Sequence, residues 1–167
     1  PAEVARHGNR IVEDLLAAAD YLAAREDVDP TRIYLVGHAS GGTLALLTAA
    51  TTARFRAVFA FSPVSDARQY GTPAGGGSAE ELAVRAPLRF MGSIVTPTYV
   101  FDGGGNGNVD VFDDLRRNAS RNVHFAVVPD LDGNGVLAPG TEAIARAIAR
   151  DQVDDACLPA GAELADG

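Results

Sequence analysis

The sequence predicts an α/β protein in which a parallel sheet of about four strands is flanked by helices. Three observations carry that prediction. Short, nearly all-apolar runs recur at 33–36 ("IYLV"), 57–61 ("AVFAF"), 97–101 ("PTYVF") and 123–128 ("VHFAVV"), the type that a parallel sheet buries on both faces. Segments of helical periodicity separate these runs, and strands separated by helices imply crossover connections and parallel pairing. The chain has 167 residues, 47% of them hydrophobic, enough for one compact domain with a core of its own and too few for two to be expected.

In order along the chain, residues 3–24 read as a helix, because Val4, Ile11, Leu15, Ala18 and Leu22 fall on one helical face. The polar turn "REDVDPT" ends it, and Pro30 makes continuation costly. After the 33–36 strand, a run of small residues predicts a helix at about 41–52. Between the 57–61 and 97–101 strands lies a Gly/Pro-rich excursion, 62–95, containing "GTPAGGGS" and a short helix at 79–86. Helices at 109–119 and 138–150 complete the pattern. We expect one domain over 1–152 and an acidic, frayed tail over 153–167. The chain opens on Pro1, which suggests processing or a piece of something longer.

Composition excludes some functions. The net charge is −8, and all 14 cationic residues are Arg, scattered singly apart from Arg116 and Arg117. No basic face exists to follow a phosphate backbone, so nucleic acid is not an expected partner. No apolar run approaches bilayer-spanning length, so the chain is expected to be soluble, without a membrane partner. Its single cysteine, Cys157, has no second cysteine with which to form a disulfide or a metal site.

The stretch "DPTRIYLVGHASGGTLAL" resembles the elbow region of α/β-hydrolases of the prolyl-oligopeptidase and esterase type. In that motif a strand enters a strained turn, a helix leaves it, and a nucleophile stands at the apex between two small residues. The resemblance puts Gly37 and Gly41 at the small positions, His38 before the apex and Ala39 at the apex itself. Ser40, the next residue, would offer its amide as an oxyanion donor. Taking Ser40 as the nucleophile instead would shift the register and leave the glycine pair without a purpose.

The resemblance further implies an acid after the third strand here and a histidine after the fourth. In "FDGGGNGN" the acid position falls on Asn106, and in "VVPDLDGNGV" the histidine position falls on Gly133. Alanine has no nucleophilic atom, glycine has no base, and asparagine cannot stabilise an imidazolium. The chain has three histidines, His7, His38 and His124, and none follows the last strand. The resemblance covers about residues 9–150, the C-terminal half of a family member, so the family's first four strands have no counterpart. The fold expected is therefore a partial α/β-hydrolase, with the 33–36 strand at an open edge that pairs with another chain, as in a homo-oligomer, or with strands of a longer protein.

Two stretches also look like calcium loops of the EF-hand or dockerin kind. In 130–142, Asp130, Asp132 and Asn134 occupy oxygen-ligand positions before Gly135, with Glu142 near the late carboxylate position. In 102–114, Asp102, Asn106, Gly107 and Asp113 echo the pattern more weakly. Asp, Asn and Gly are also what turns are made of. The glycine runs lack the Lys-Ser/Thr of a phosphate loop. Three functions follow: a catalytically inactive hydrolase relative that binds a small molecule or peptide or serves as a scaffold; a residual hydrolase using Ser40 or groups from a partner chain; and a calcium-binding module.

Overall fold

The computed structural model describes residues 10–66, 79–105, 109–150 and Val153. Four strands form one sheet in chain order: β1 (Tyr34–His38), β2 (Ala57–Phe61), β3 (Thr98–Gly103) and β4 (Val123–Val128). Every pairing is parallel. The helices are α1 (Arg10–Ala23), α2 (Ser40–Thr51), α3 (Ala79–Val84), α4 (Val109–Asn118) and α5 (Leu137–Ala149). Two 3-10 turns, Pro87–Arg89 and Met91–Ser93, lie between α3 and β3. The expected α/β class and element order are what the structure has. Within the 62–95 excursion, residues 67–78 lie outside the described residues.

Helices cover both faces of the sheet. On one face, α1, α2, α4 and the 3-10 turns pack Val12, Leu46, Met91, Phe112 and Leu115 against Val58 and Val100. The central helix α2 is buried over most of its length, which is why it is built from Gly, Ala, Thr and Leu. On the other face, α5 lays Ile144 and Ala147 over Phe59, Phe61, Tyr99 and Phe101. The register places Val36, Phe59, Tyr99 and His124 on one rung. The three rings among them stack across it, with centroids 5.5 Å apart for Phe59–Tyr99 and 5.1 Å for Tyr99–His124.

Two expectations need correction. The buried face of α1 is Val12, Leu16, Ala19 and Ala23, one residue round from the expected face, and Ala18 and Leu22 are exposed. Adjacent apolar pairs such as Leu15-Leu16 make both faces readable, and the small Ala19 is the one that packs into the core. The tail expected from 153 begins with a core residue: Val153 is fully buried beside Phe59 and Ile144 in their cluster. An apolar side chain there completes the α5 face. Residues 154–167, with Cys157, lie outside the described residues.

Among the described residues β1 has a neighbour on one side only, and Val36 is 52% exposed on it. The β1 edge is therefore open, as expected. No helix among the described residues is long and apolar enough to cross a membrane.

Candidate functional site

The carboxyl ends of all four strands meet on one side of the sheet, and the candidate site is built there. β1 ends at His38 and α2 begins at Ser40, so one residue makes the whole turn. That residue is Ala39, held at φ 50° and ψ −117°, a region that L side chains rarely adopt. The turn is fixed from both sides. The Ala39 N–H donates to the Phe61 carbonyl at 2.9 Å, while the Ala39 carbonyl accepts from the Thr43 N–H at 3.0 Å and from the Thr43 hydroxyl at 3.2 Å. The buried Thr43 hydroxyl also accepts from the Val64 N–H at 3.0 Å, which ties the turn to the segment after β2.

Sterics explain the glycines, with one correction. A β-carbon on Gly37 would lie 2.1 Å from the Gly41 carbonyl oxygen, and one on Gly42 would lie 2.7 Å from the Phe61 carbonyl oxygen. A β-carbon on Gly41 would meet nothing within 4 Å. The close-approach pair is therefore Gly37 and Gly42, because it is the backbone of Gly41, not its α-hydrogen, that faces Gly37. Ser40 is exposed at the first position of α2, and His38 is half-buried.

Beside the turn lies a polar cluster that the sequence did not announce. Ser62, one residue past β2, has φ 45°. Its N–H donates to the Phe101 carbonyl at 2.7 Å. Its hydroxyl lies 2.8 Å from Asp102 Oδ1 on β3 and 3.0 Å from the Gly133 carbonyl in the β4–α5 loop. Asp102 is fully buried, and its Oδ1 also accepts the Gly103 N–H at 2.8 Å. The loop sits directly on the end of β3, where a β-carbon on Gly103 would lie 2.2 Å from the Leu131 carbonyl oxygen. An apolar strand that ends in a carboxylate was the available signal for Asp102. Ser62 had none.

The structure thus brings Ala39, Ser62, Asp102 and Gly133 to the same end of the sheet. Asn106 lies outside the described residues, as does His7. His124 is the second residue of β4, stacked on Tyr99 away from the carboxyl ends. A methyl group at the apex offers no attacking atom, and the residue at 133 offers no proton acceptor on its side chain.

Three of the calcium-type residues, Asp102, Asp132 and Glu142, are engaged in other contacts. Asp130 takes φ 62°, a conformation that Asp tolerates in turns. Asp132 Oδ1 accepts the N–H of Asn134 at 3.0 Å and of Gly135 at 2.6 Å, closing the turn into α5. Glu142 pairs with Arg146 at 2.5 Å on α5. Asp102 points into the Ser62 cluster, a correction to its place in the weaker 102–114 echo. Among the described residues, no three His, Cys, Asp or Glu side chains are grouped to hold a metal ion.

A cavity of about 360 Å³ opens in the excursion, lined by Asp66, Leu82, Ala83, Ala86, Leu88 and Arg89 among others. None of its described lining residues belongs to the turn at 37–42 or to the 130–133 loop. It is a separate hollow, apolar with one charge of each sign.

Comparison with known proteins agrees with this geometry. Residues 4–75 match the prolyl oligopeptidase family. No curated protein matches the chain. Among solved structures, a 2,6-dihydroxy-pseudo-oxynicotine hydrolase superposes with a TM-score of 0.67 at 20% identity, over 90% of this chain and 48% of that one. A puromycin-hydrolyzing peptidase of Mycobacterium tuberculosis gives a TM-score of 0.66 at 20% identity, over 89% of this chain and 25% of that one. An esterase domain from Rhodothermus marinus gives 0.65 at 18% identity, over 86% and 70%. The chain therefore spans about half the length of the first of these and a quarter of the second. The parallel sheet, the one-residue strand-to-helix turn and these superpositions show that the chain has the α/β-hydrolase fold, and residues 4–75 are similar to the prolyl oligopeptidase family.

Proposed function

We propose that this chain is a non-catalytic α/β-hydrolase that binds a ligand, or holds a partner, without turning it over. The observation that carries the reading is Ala39. The backbone keeps the strained apex at which a nucleophile would stand, and the side chain there is a methyl group. The readings of Asn106 at the acid position and Gly133 at the base position point the same way. Several similar structures carry the names of a hydrolase, an esterase and a peptidase, so the ligand class we propose is an ester or peptide. It would lie across the carboxyl ends of the strands, where open α/β sheets bind ligands.

The test pairs an activity-based probe with a substrate. The unaltered chain is treated with a fluorophosphonate and with p-nitrophenyl acetate, and neither labelling nor turnover above the buffer rate is expected. Labelling at Ser40, or turnover abolished by Ser40→Ala, would overturn the reading in favour of a residual hydrolase. Calcium has the weaker claim, because Asp132 and Glu142 already have partners. A calorimetric titration with calcium is expected to show no heat. We also propose that the open β1 edge takes a strand from another chain. A monodisperse monomer with fast exchange of the 34–38 amides would count against it.

A further inference from the structure

Position 133 is not merely a site from which a side chain is missing. A β-carbon built there would lie 2.6 Å from Ser62 Oγ, 3.2 Å from Ser62 Cβ and 3.3 Å from Asp102 Oδ1. The first distance is one that real β-carbons do not show. The atom in the way is the end of a short side chain, and it is not free to swing aside at no cost. Ser62 Oγ is held between the buried Asp102 carboxylate and the Gly133 carbonyl, at 2.8 Å and 3.0 Å. Rotating it away would leave Asp102 without the hydroxyl that serves it, and a buried carboxylate tolerates that poorly.

We infer that Ser62 is a positioning residue that closes position 133: its hydroxyl clamps the β4–α5 loop to the end of β3 and fills the volume a side chain at 133 would need. The clamp joins three elements, because Ser62 follows β2, Asp102 ends β3 and Gly133 follows β4. Ser62 itself sits at φ 45°, a conformation a non-glycine residue keeps only when its surroundings hold it there. The consequence for chemistry rests on reading 133 as the family's base position. Putting histidine back at 133 in the present backbone would drive its β-carbon into Ser62, so any route back to hydrolysis runs through residue 62 as well as residues 39, 106 and 133.

The test is a double-mutant cycle between Gly133→Ala and Ser62→Ala, read by thermal and urea unfolding. Ser62→Ala removes the hydroxyl and leaves the β-carbon and the backbone strain in place, so it isolates the 2.6 Å contact. In the unaltered background, Gly133→Ala is expected to lower Tm by about 4–8 °C, as overpacking by one methyl group does in a chain of this size. In the Ser62→Ala background the same substitution is expected to cost less than half as much. Equal losses in both backgrounds would overturn the inference. A second arm separates this claim from the non-catalytic reading. The Ala39→Ser, Asn106→Asp, Gly133→His triple variant is prepared with and without Ser62→Ala, and its yield of folded protein is compared by near-UV circular dichroism. A higher folded yield with Ser62→Ala supports the clamp, and equal yields count against it. Neither result depends on whether the unaltered chain reacts with the fluorophosphonate.

Discussion

Ala39→Gly should make this protein more stable, which is an unusual direction for a substitution at the centre of a candidate site. At φ 50° and ψ −117° an L residue carries a backbone cost of about 1–3 kcal/mol, which glycine does not incur. Against that gain stands the greater freedom of glycine in the unfolded chain, about 0.5–1 kcal/mol. The methyl group is only half-buried, so its loss costs about 0.4 kcal/mol of a full methylene-sized burial of about 0.8. The balance is a gain of about 1 kcal/mol, or about 2–4 °C in Tm. Urea unfolding followed by far-UV circular dichroism measures it, and the slope with urea should not change. A loss of more than about 0.5 kcal/mol would refute the reasoning, because it would mean that the strain is absent or that the methyl group packs far better than its exposure indicates.

Three further outcomes follow from the same geometry. Gly37→Ala puts a β-carbon 2.1 Å from the Gly41 carbonyl oxygen, so the turn must open, and equilibrium unfolding should show a loss of about 3 kcal/mol. Thr43→Val keeps the shape but leaves the Val64 N–H without its acceptor, which should cost about 1–3 kcal/mol in the same assay and speed hydrogen exchange at Val64. The Thr31 hydroxyl and amide hold the Asp29 carboxyl below its ordinary 3.8, so its stabilising effect is present above that value and fades as pH falls through the lower folded-state value. An acid titration of Tm should therefore fall less steeply in Asp29→Asn than in the unaltered chain.

Much of the scaffold could be read from residue types alone. The all-apolar run at 57–61 became β2 with those bounds, because a strand buried on both faces has no polar residues to blur its ends. The nearly all-apolar run at 123–128 became β4 with its bounds although four of its six residues are only half-buried. The first strand was read short. Its continuation through Gly37 and His38 comes from pairing with Ala60 and Phe61, which local propensity does not register. The third extends to Gly103 for the same reason, with Asp102 and Gly103 paired to Val127 and Val128. The turn at Ala39 was legible because its constraint is local and steric. The small-residue rule nevertheless named Gly41, where the structure needs Gly42. Ser62 was not legible at all. Its partners stand 40 and 71 residues away in the chain, and "SPVS" looks like any loop. Arg32, read only as part of a turn motif, donates to the Ile148 carbonyl at 2.8 Å and so ties the end of α5 to the entry of β1.

The ring row on the α5 side of the sheet gives the molecule a built-in optical probe. The chain has no tryptophan and four tyrosines. Of the three among the described residues, Tyr21 is 66% exposed, while Tyr34 and Tyr99 flank Phe59 at 6.5 Å and 5.5 Å between centroids. Their fixed, asymmetric setting should dominate the near-ultraviolet dichroism. That signal then watches one side of the sheet, and it should disappear when α5 lifts away even if the helices themselves survive.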